Sequence, residues 1–258
     1  MNGYHALSAF YDRWMTGDVD NVARADYLLK LFEVHGGKRP DTMLDLACGT
    51  GTLCVEFCRR GIDMVGVDRS ADMLAVASVK AKNCTPPVLL LCQDMRALDL
   101  RDTVDGAICT QDGMSHLLTT ADIKAVFDRL RLFISPGGLF IFDVNTPYKH
   151  REILGDRDFV LEQDGVVCTW QNLYSPKTGI VDMRLDFFEP REDGGYLRTT
   201  DEVRERAYTL PTWRRLLTES GFSLEAVYAD GTTDPPAETC ERWVLVAKNR
   251  RPAEEYTA

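Results

Sequence analysis

Apolar residues recur along the first part of the chain at two alternating spacings. Short apolar runs of strand length are separated by stretches in which apolar residues fall on one helical face. The clearest stretch has Ile123, Val126 and Leu130 at positions i, i+3 and i+7. The pattern predicts strands over residues 43–47, 63–67, 88–92, 105–110 and 138–144, and helices over residues 52–60, 71–82 and 121–133. Strands alternating with helices indicate a mostly parallel sheet with helices on both faces.

After about residue 155 the spacing changes to a period of two. Val181, Met183 and Leu185 are each followed by an aspartate or an arginine, which predicts a strand with one apolar face. The other elements expected in this part are strands over residues 166–174, 196–208, 222–229 and 242–247 and a helix that starts near Pro211. The alternating segments predict an antiparallel meander inserted into the parallel domain.

Together these elements predict an α/β fold. It is a doubly wound, mostly parallel, Rossmann-like sheet of seven strands with an inserted antiparallel β lid. Residues 1–155 and 207–250 are predicted to form the main domain, and residues 156–206 the lid. Apolar spacing in residues 9–34 predicts two N-terminal helices interrupted near Gly17, and residues 251–258 are expected to be a disordered tail.

Charge and composition restrict the classes of partner. The chain carries 40 acidic and 30 basic residues, a formal net charge of −10, and its basic residues are scattered. Phosphate backbones and anionic membranes repel such a surface, so neither nucleic acid nor a membrane is an expected partner. No segment reaches the roughly 18–20 apolar residues of a bilayer span, and the start lacks a basic, apolar leader. The eight cysteines contain no CxxC pair, which favours reduced thiols, a cytoplasmic location and no metal site.

The most informative motif is a glycine turn directly after the first predicted strand, in residues 45–51 (Asp-Leu-Ala-Cys-Gly-Thr-Gly). Such a turn lets a ligand approach the backbone at the start of a helix. A dinucleotide fingerprint would have Gly or Ala where this chain has Cys54. The Asp45 carboxylate would repel a pyrophosphate but attract the ammonium and sulfonium groups of S-adenosylmethionine. The alternative is that Asp45 only braces the turn.

Acidic residues at the ends of the next two strands extend this predicted cofactor site. Asp68 follows the second predicted strand, where a carboxylate can accept hydrogen bonds from both ribose hydroxyls. Asp94 follows the third, where it can accept from an adenine amino group while the Met95 N–H donates to a ring nitrogen. Met73 and Met95 are candidates for packing on the adenine faces. The alternatives are a plain loop residue for Asp94 and core packing for Met73.

The loop after the fourth predicted strand is expected to face the transferable methyl group. Ligands of open α/β sheets bind beyond the carboxyl ends of the strands, and this loop lies at that edge. Asp112 and His116 are its titratable candidates for catalysis. His116 is a candidate general base, and a purely structural histidine is the alternative.

In order along the chain, four segments resemble motifs of the class I S-adenosylmethionine-dependent methyltransferases: residues 45–51, 65–68, 93–95 and 130–145. The resemblance implies methyltransferase activity with S-adenosyl-L-methionine as the cofactor. The residues expected at the cofactor, from the resemblance and from the arguments above, are Tyr11, Asp45, Ala47, Gly49, Gly51, Asp68, Arg69, Met73, Gln93, Asp94, Met95, Thr110 and Gln111.

A narrower resemblance is to a bacterial subgroup with an antiparallel lid, which includes amino-sugar N-methyltransferases. Residues 10–15 (Phe-Tyr-Asp-Arg-Trp-Met) are similar to its opening helix, and residues 170–172 and 206–208 to its lid. The resemblance implies that Tyr11 covers the cofactor near its sulfonium or carboxylate, which makes it a third catalytic candidate. Its alternative role is helix packing.

The chain departs from this subgroup on the substrate side. Ser115 stands where Asn is frequent in the subgroup. Val203, Arg204 and Glu205 precede the Arg-Ala-Tyr run, where the subgroup often has a histidine. These departures leave cofactor binding intact and affect the expected acceptor.

The predicted reaction is methyl transfer to nitrogen or oxygen of a small-molecule acceptor. Because a sulfonium already activates the methyl group, the protein mainly has to align the nucleophile, and the lid would exclude water and shape the acceptor pocket. The alternative role of the lid is a homodimer interface. Other classes left open are an NAD-dependent oxidoreductase, a non-catalytic S-adenosylmethionine-binding protein, and an RNA or protein methyltransferase.

Overall fold

The computed structural model of the protein describes residues 20–252. In chain order the helices and strands are α1 (Asn21–Gly36), β1 (Thr42–Leu46), α2 (Thr52–Cys58), β2 (Asp63–Asp68), α3 (Ala71–Lys80), β3 (Leu89–Cys92), β4 (Val104–Cys109), α4 (Thr120–Phe133), β5 (Ile134–Asn145), β6 (Asp158–Gln163), β7 (Val166–Ser175), β8 (Ile180–Pro190), β9 (Tyr196–Arg206), α5 (Leu210–Glu219), β10 (Phe222–Ala229) and β11 (Arg242–Asn249). Short 3₁₀ turns occupy Ala81–Asn83, Met95–Ala97 and Gly113–His116, and a π-helix spans Lys149–Leu154.

The main sheet has seven strands in the order β10-β11-β5-β4-β1-β2-β3. Strands β1 to β5 are parallel, and β11 is antiparallel to both β5 and β10. This confirms the predicted doubly wound, mostly parallel sheet. The carboxyl ends of β1, β2, β4 and β5 therefore meet at one edge, which is where such sheets bind ligands.

Both faces of the main sheet are covered, as the continuous apolar runs of its central strands require. Leu44 and Leu46 of β1 pack on one side with the cluster that includes Phe127 and Trp213. Met43 faces the other side, among residues of α1 and α2. Burial of both faces fixes the strand register and hence the position of the turn that follows β1.

The second sheet is an antiparallel meander in the order β6-β7-β8-β9, and it confirms the predicted insertion between β5 and α5. Val181, Met183 and Val203 of this sheet form one apolar cluster with Leu154 of the π-helix. The alternation read in residues 181–186 thus marks the face that packs on the main domain.

Two elements were missed by the sequence pattern. Strand β6 lies at the edge of the second sheet and is largely exposed, so it lacks the apolar alternation that reveals a half-buried strand. The π-helix Lys149–Leu154 is a single turn of six residues, and its apolar residues do not recur at the spacing of an α-helix. Strand β5 also starts earlier than predicted, because Ile134 pairs with Val104 before an irregularity in the register.

The first of the two predicted N-terminal helices, with Tyr11, and the tail residues 253–258 lie outside the described residues. The second predicted helix is α1, and Gly37 ends it with a left-handed backbone, φ +81°. Within residues 20–252, no helix combines the length and the apolar character needed to cross a membrane.

Candidate active site

The turn after β1 has the left-handed backbone that its glycines favour. Gly49 and Gly51 have φ values of +54° and +73°. A Cβ on Gly51 would lie 2.8 Å from the Cβ of Ala77, so glycine is needed for α2 to pass this close to α3. The Gly49 N–H donates to Asp68 Oδ2 at 2.9 Å, which joins the turn to the end of β2.

Two adjoining cavities open at the carboxyl edge of the main sheet. The β2 cavity, of about 430 Å³, lies beside the ends of β2 and β3. The α2 cavity, of about 470 Å³, lies between the turn, α2 and the end of β4. Both cavities are lined by Ala47, Gly49 and Gln111, so they form one continuous site.

Most of the residues predicted at the cofactor line these cavities. The β2 cavity is lined by Ala47, Gly49, Asp68, Arg69, Met73, Gln93, Asp94, Met95 and Gln111. The α2 cavity adds Asp45 and Thr110. Gly51 lines neither cavity and instead shapes the turn, and Tyr11 lies outside the described residues.

Asp68 already holds the backbone around it with both carboxylate oxygens. Oδ2 accepts from the Gly49 N–H at 2.9 Å, and Oδ1 accepts from the Ser70 N–H at 2.8 Å. Each oxygen of a carboxylate can accept a second hydrogen bond, so both remain able to accept from a ligand hydroxyl in the β2 cavity. This residue is therefore both a brace of the glycine turn and a ribose acceptor candidate.

Asp94 is shared between the cavity and an arginine that the sequence analysis did not consider. Arg96 donates from Nε and Nη2 to the Asp94 carboxylate and from Nη1 to Asp122 at 3.0 Å. The hydrogen bond from Arg96 holds the pKa of Asp94 below its usual range. Asp94 is thus charged and fixed in position at the rim of the β2 cavity.

The loop after β4 is strained and is held by one buried carboxylate. Gln111 and Asp112 both have left-handed backbones, with φ values of 55° and 69°, which is unfavourable for side chains with a Cβ. Asp143, 1% exposed at the end of β5, accepts the N–H of Gln111 at 2.9 Å and the N–H of Asp112 at 3.0 Å. Asp143 thus holds the loop in the conformation that places Gln111 beside both cavities.

Asp112 is engaged by Arg242, the first residue of β11. The two carboxylate oxygens of Asp112 lie 2.8 and 2.9 Å from Arg242 Nη1 and Nη2, and Asp112 lines neither cavity. This geometry favours a role for Asp112 in fixing the loop over a role in proton transfer. Neither Asp143 nor Arg242 was singled out from sequence as a site residue.

His116 lines the β2 cavity, and both of its ring nitrogens face oxygen atoms of the second sheet. Nδ1 lies 3.4 Å from the Arg204 carbonyl oxygen, and Nε2 lies 3.9 Å from Glu205 Oε1. The predicted base is thus placed between the cofactor cavity and the inserted sheet.

Other lining residues were also missed: Asn21, Thr52, Lys80, Arg96, Gly113 and Leu117. Lys80 ends α3 and donates from Nζ to the Thr50 and Thr52 hydroxyls, each at 2.8 Å. Arg96 and Thr52 directly follow the predicted adenine and glycine motifs, and Gly113 and Leu117 lie along the loop after β4, whereas Asn21 and Lys80 are brought to the site by tertiary packing.

Asp45 is 3% exposed and accepts a hydrogen bond from the Cys54 thiol. Burial raises the pKa of Asp45 to about 7, and the nearby charge of Asp68 adds to this effect. At neutral pH the carboxyl is therefore only partly ionised until a cation lies beside it. The expected attraction for an ammonium or sulfonium group depends on that ionisation.

This leads to a prediction about pH. We expect the affinity for S-adenosylmethionine to rise about tenfold between pH 6 and pH 8. The cation of the ligand favours the ionised form of Asp45. Below the pKa of about 7 the carboxyl group of the free protein carries a proton that must be lost when the ligand binds, and this loss weakens binding. Calorimetric titration measures it, with adenosine as the ligand control that lacks both cationic groups. Asp45→Asn should bind S-adenosylmethionine more weakly and without this rise; a wild-type affinity that is equal at both pH values would contradict the assignment.

Comparisons with known proteins bear on the class of enzyme. Residues 43–138 match the family described as a methyltransferase domain. A methyltransferase of Geobacillus sp. (strain WCH70) is 29% identical over 245 residues, which are 95% of this chain and 99% of that protein. The crystal structure of a S-adenosylmethionine-dependent methyltransferase from Clostridium acetobutylicum ATCC 824 superposes with a TM-score of 0.85 at 29% identity, covering 96% of this chain and 99% of that one. An amino pentose methyltransferase from Micromonospora echinaspora, solved with S-adenosylmethionine bound, shares the fold at a TM-score of 0.74 and 18% identity, covering 93% and 96%.

The seven-stranded sheet, its glycine turn and the cavities at its carboxyl edge define a methyltransferase of the Rossmann-like class I fold. The chain is similar to S-adenosylmethionine-dependent methyltransferases along nearly its whole length, and this similarity identifies it as a methyltransferase with S-adenosylmethionine as its cofactor. The side chains present fit that cofactor. A carboxylate, Asp68, lines the β2 cavity beside the apolar side chains of Val67 and Met73, and buried Asp45 lines the α2 cavity.

Proposed function

We propose that this enzyme transfers the methyl group to a small-molecule acceptor through a nitrogen or oxygen nucleophile. The observation that carries the proposal is the attachment of the end of β9 and the residues that follow it to the loop after β4. Tyr208 Oη donates to the Leu117 carbonyl oxygen at 2.9 Å, and Arg206 Nη1 donates to the Leu118 carbonyl oxygen at 2.8 Å. We infer that residues 156–206 act as a lid that encloses a small acceptor beside the loop.

The proposed reaction depends more on alignment of the acceptor nucleophile than on activation of the methyl group. When bound, S-adenosylmethionine supplies a methyl group that its sulfonium has already activated. The chain then has to keep the loop after β4 rigid, exclude water and hold the nucleophile in line, and such positioning contributes about 7–11 kcal/mol. Asp143 supports the loop, and His116 is the candidate to take a proton from an acceptor that arrives protonated.

The charges around this loop favour an amine as the acceptor. An ion-pair network beside the loop contains three carboxylates, those of Asp112, Asp143 and Asp230, and two guanidinium groups, those of Arg24 and Arg242. The excess of negative charge attracts a protonated amine and repels an anionic acceptor. We therefore expect the enzyme to methylate the nitrogen of a small amine in preference to a hydroxyl oxygen.

The remaining assignments are supported more indirectly. All eight cysteines are free thiols, which agrees with a cytoplasmic enzyme, and the net charge of −10 argues against nucleic acid and membranes as partners. Formation of a homodimer through the β6–β9 sheet stays a prediction.

The decisive experiment is an acceptor screen. We expect the enzyme to release S-adenosylhomocysteine with one or more members of a panel of small amines, amino sugars and matched hydroxyl compounds, with the amines preferred. His116→Ala should lower kcat by about a hundredfold, the low end of the range for a proton-transfer group, with little change in cofactor affinity. Lys124→Ala, on the exposed surface of α4, is the control and should behave as the wild type.

Two outcomes would count against the proposal. Tight S-adenosylmethionine binding without turnover on any acceptor would favour a non-catalytic binding protein. Equal rates for amines and their hydroxyl counterparts would contradict the inference that the negative charge beside the loop favours an amine acceptor.

A further inference from the structure

A buried carboxylate lies where the β6–β9 sheet contacts the main domain. Glu205, near the end of β9, is 6% exposed, and it pairs across the ladder with Val181. Its Oε2 accepts from Asn145 Nδ2 at 2.8 Å. A carboxylate this deep is destabilising by several kcal/mol unless groups of opposite charge or hydrogen-bond donors surround it. The reaction proposed above does not use this residue.

Two histidines complete the environment of this carboxylate. His116 Nε2 lies 3.9 Å from Oε1, and His150 Nε2, on the fully buried ring of the π-helix, lies 3.6 Å from Oε2. The Nδ1 atoms face carbonyl oxygens, that of Arg204 at 3.4 Å from His116 and that of Gly179 at 3.3 Å from His150. Both ring nitrogens of each histidine thus face oxygen atoms of the inserted sheet or of its β7–β8 turn.

Around Glu205 the oxygen atoms lie on the side of the inserted sheet, and the nitrogen atoms that face them lie on the side of the main domain. The acceptors, on Gly179, Arg204 and Glu205, belong to the inserted sheet or to its β7–β8 turn. The donors belong to the loop after β4, the end of β5 and the π-helix, all in the main domain. His116 also lines the β2 cavity, so the cluster reaches from the lid to the cofactor site.

We propose that Glu205 is a positioning residue for methyl transfer, because its negative charge holds His116 and His150 against the lid and so fixes the lid over the loop after β4. The effect of Glu205 on turnover rests on the methyl transfer proposed above, whereas its effect on the lid does not. We call Glu205, His116, His150 and Asn145 the lid cluster.

The charge that this role needs is present at neutral pH. Burial alone would raise the pKa of Glu205, but the neighbouring His150 and His116 and the hydrogen bond from Asn145 outweigh it and hold this pKa below its usual range. Since a lowered pKa stabilises the folded state above the unfolded pKa, the contribution of Glu205 is lost only as the pH falls through the folded value. The other cations nearby are engaged elsewhere: Lys149 donates to Asn145 Oδ1, and Arg206 donates to the Leu118 carbonyl oxygen.

The first test needs no acceptor. Glu205→Gln keeps the volume and an oxygen for Asn145 but removes the charge. With saturating S-adenosylhomocysteine, we expect backbone amides of β8 and β9 to exchange with deuterium about tenfold faster than in the wild type, a loss of about 1.4 kcal/mol of protection. Glu202→Gln, on the same strand but on its exposed face, is the matched control and should exchange like the wild type.

Coupling between the members of the lid cluster distinguishes charge from simple packing. His116→Asn alone should accelerate exchange, and in the Glu205→Gln background it should add little, because one interaction cannot be lost twice. Fully additive effects would overturn the proposal. So would unchanged exchange in Glu205→Gln, and this result can be read whether or not an acceptor has been found.

Turnover with an acceptor from the screen provides the second test. Glu205→Gln should lower kcat by about tenfold while the KM for S-adenosylmethionine changes less than about twofold, and Glu205→Asp, which keeps the charge, should recover part of kcat. Faster exchange with an unchanged kcat would overturn the positioning role. If no acceptor reacts with the wild type, the function proposed above fails, while the exchange experiment still decides whether Glu205 holds the lid.

Discussion

Replacement of Asp68 by alanine is expected to weaken the binding of S-adenosylmethionine by about a hundredfold. The carboxylate lines the β2 cavity, and each of its oxygens has capacity for one ligand hydroxyl in addition to the backbone N–H that it already accepts. Two hydrogen bonds to a charged group, at about 1.5 kcal/mol each, correspond to about that factor. Isothermal titration calorimetry measures the change directly.

The same carboxylate braces the Gly49 N–H, so a control has to separate ligand contact from damage to the turn. Asp63→Ala removes an exposed aspartate at the opposite end of the same strand and should leave the affinity unchanged. Asp68→Asn keeps one acceptor for the turn and should still lose most of the affinity for the cofactor. If Asp68→Ala binds as tightly as the wild type, Asp68 does not contact the ribose.

The parts of this fold that sequence could predict are those set by neighbouring residues. The turn at Gly49 and Gly51 follows an apolar run and precedes a helical stretch, and the acidic residue Asp68 stands directly after the next run. Parallel strands place their carboxyl ends at one edge of the sheet. Once the end of each strand was predicted from its local sequence, Asp45, Asp68 and Asp94 could therefore be assigned to the same site.

The contacts that hold the loop after β4 could not be predicted in this way. Asp143 is 32 residues from Gln111, and Arg242 is 130 residues from Asp112. Aspartate and arginine at strand ends have no periodicity, and their pairing depends on β11 adding to the sheet antiparallel to β5. The lid cluster is similar, since Asn145 and Glu205 are 60 residues apart and meet only when the second sheet packs on the first.

These distant contacts show what the departures from the subgroup pattern achieve. The resemblance implies a histidine before the Arg-Ala-Tyr run, where this chain has Val203, Arg204 and Glu205, and the two histidines beside Glu205 come from the main domain. In the lid cluster the carboxylate lies on the side of the inserted sheet, and both imidazoles lie on the side of the main sheet.

Asp143→Ala is expected to have the largest effect on the enzyme as a whole. It leaves the N–H groups of Gln111 and Asp112 without their acceptor and removes a partner from Arg24 and Arg242. Breaking a buried ion pair in this way destabilises proteins by about 3–5 kcal/mol. Asp112 and Asp230 still face the two arginines, so we expect the lower end, about 3 kcal/mol, and a fall in Tm of about 10 °C.

Loss of stability alone does not test the role of Asp143 in the site, so its effect must be compared with that of a similar carboxylate elsewhere. Asp105 accepts the N–H groups of Asp41 and Thr42 at the opposite edge of the sheet. Asp105→Ala should lower Tm without changing cofactor affinity or kcat. Asp143→Asn, which preserves volume, should fold more stably than Asp143→Ala, yet its kcat should fall about a hundredfold, because the left-handed residues Gln111 and Asp112 relax when no carboxylate holds them. An Asp143→Asn enzyme with wild-type kcat would show that the strained loop keeps its shape without this carboxylate.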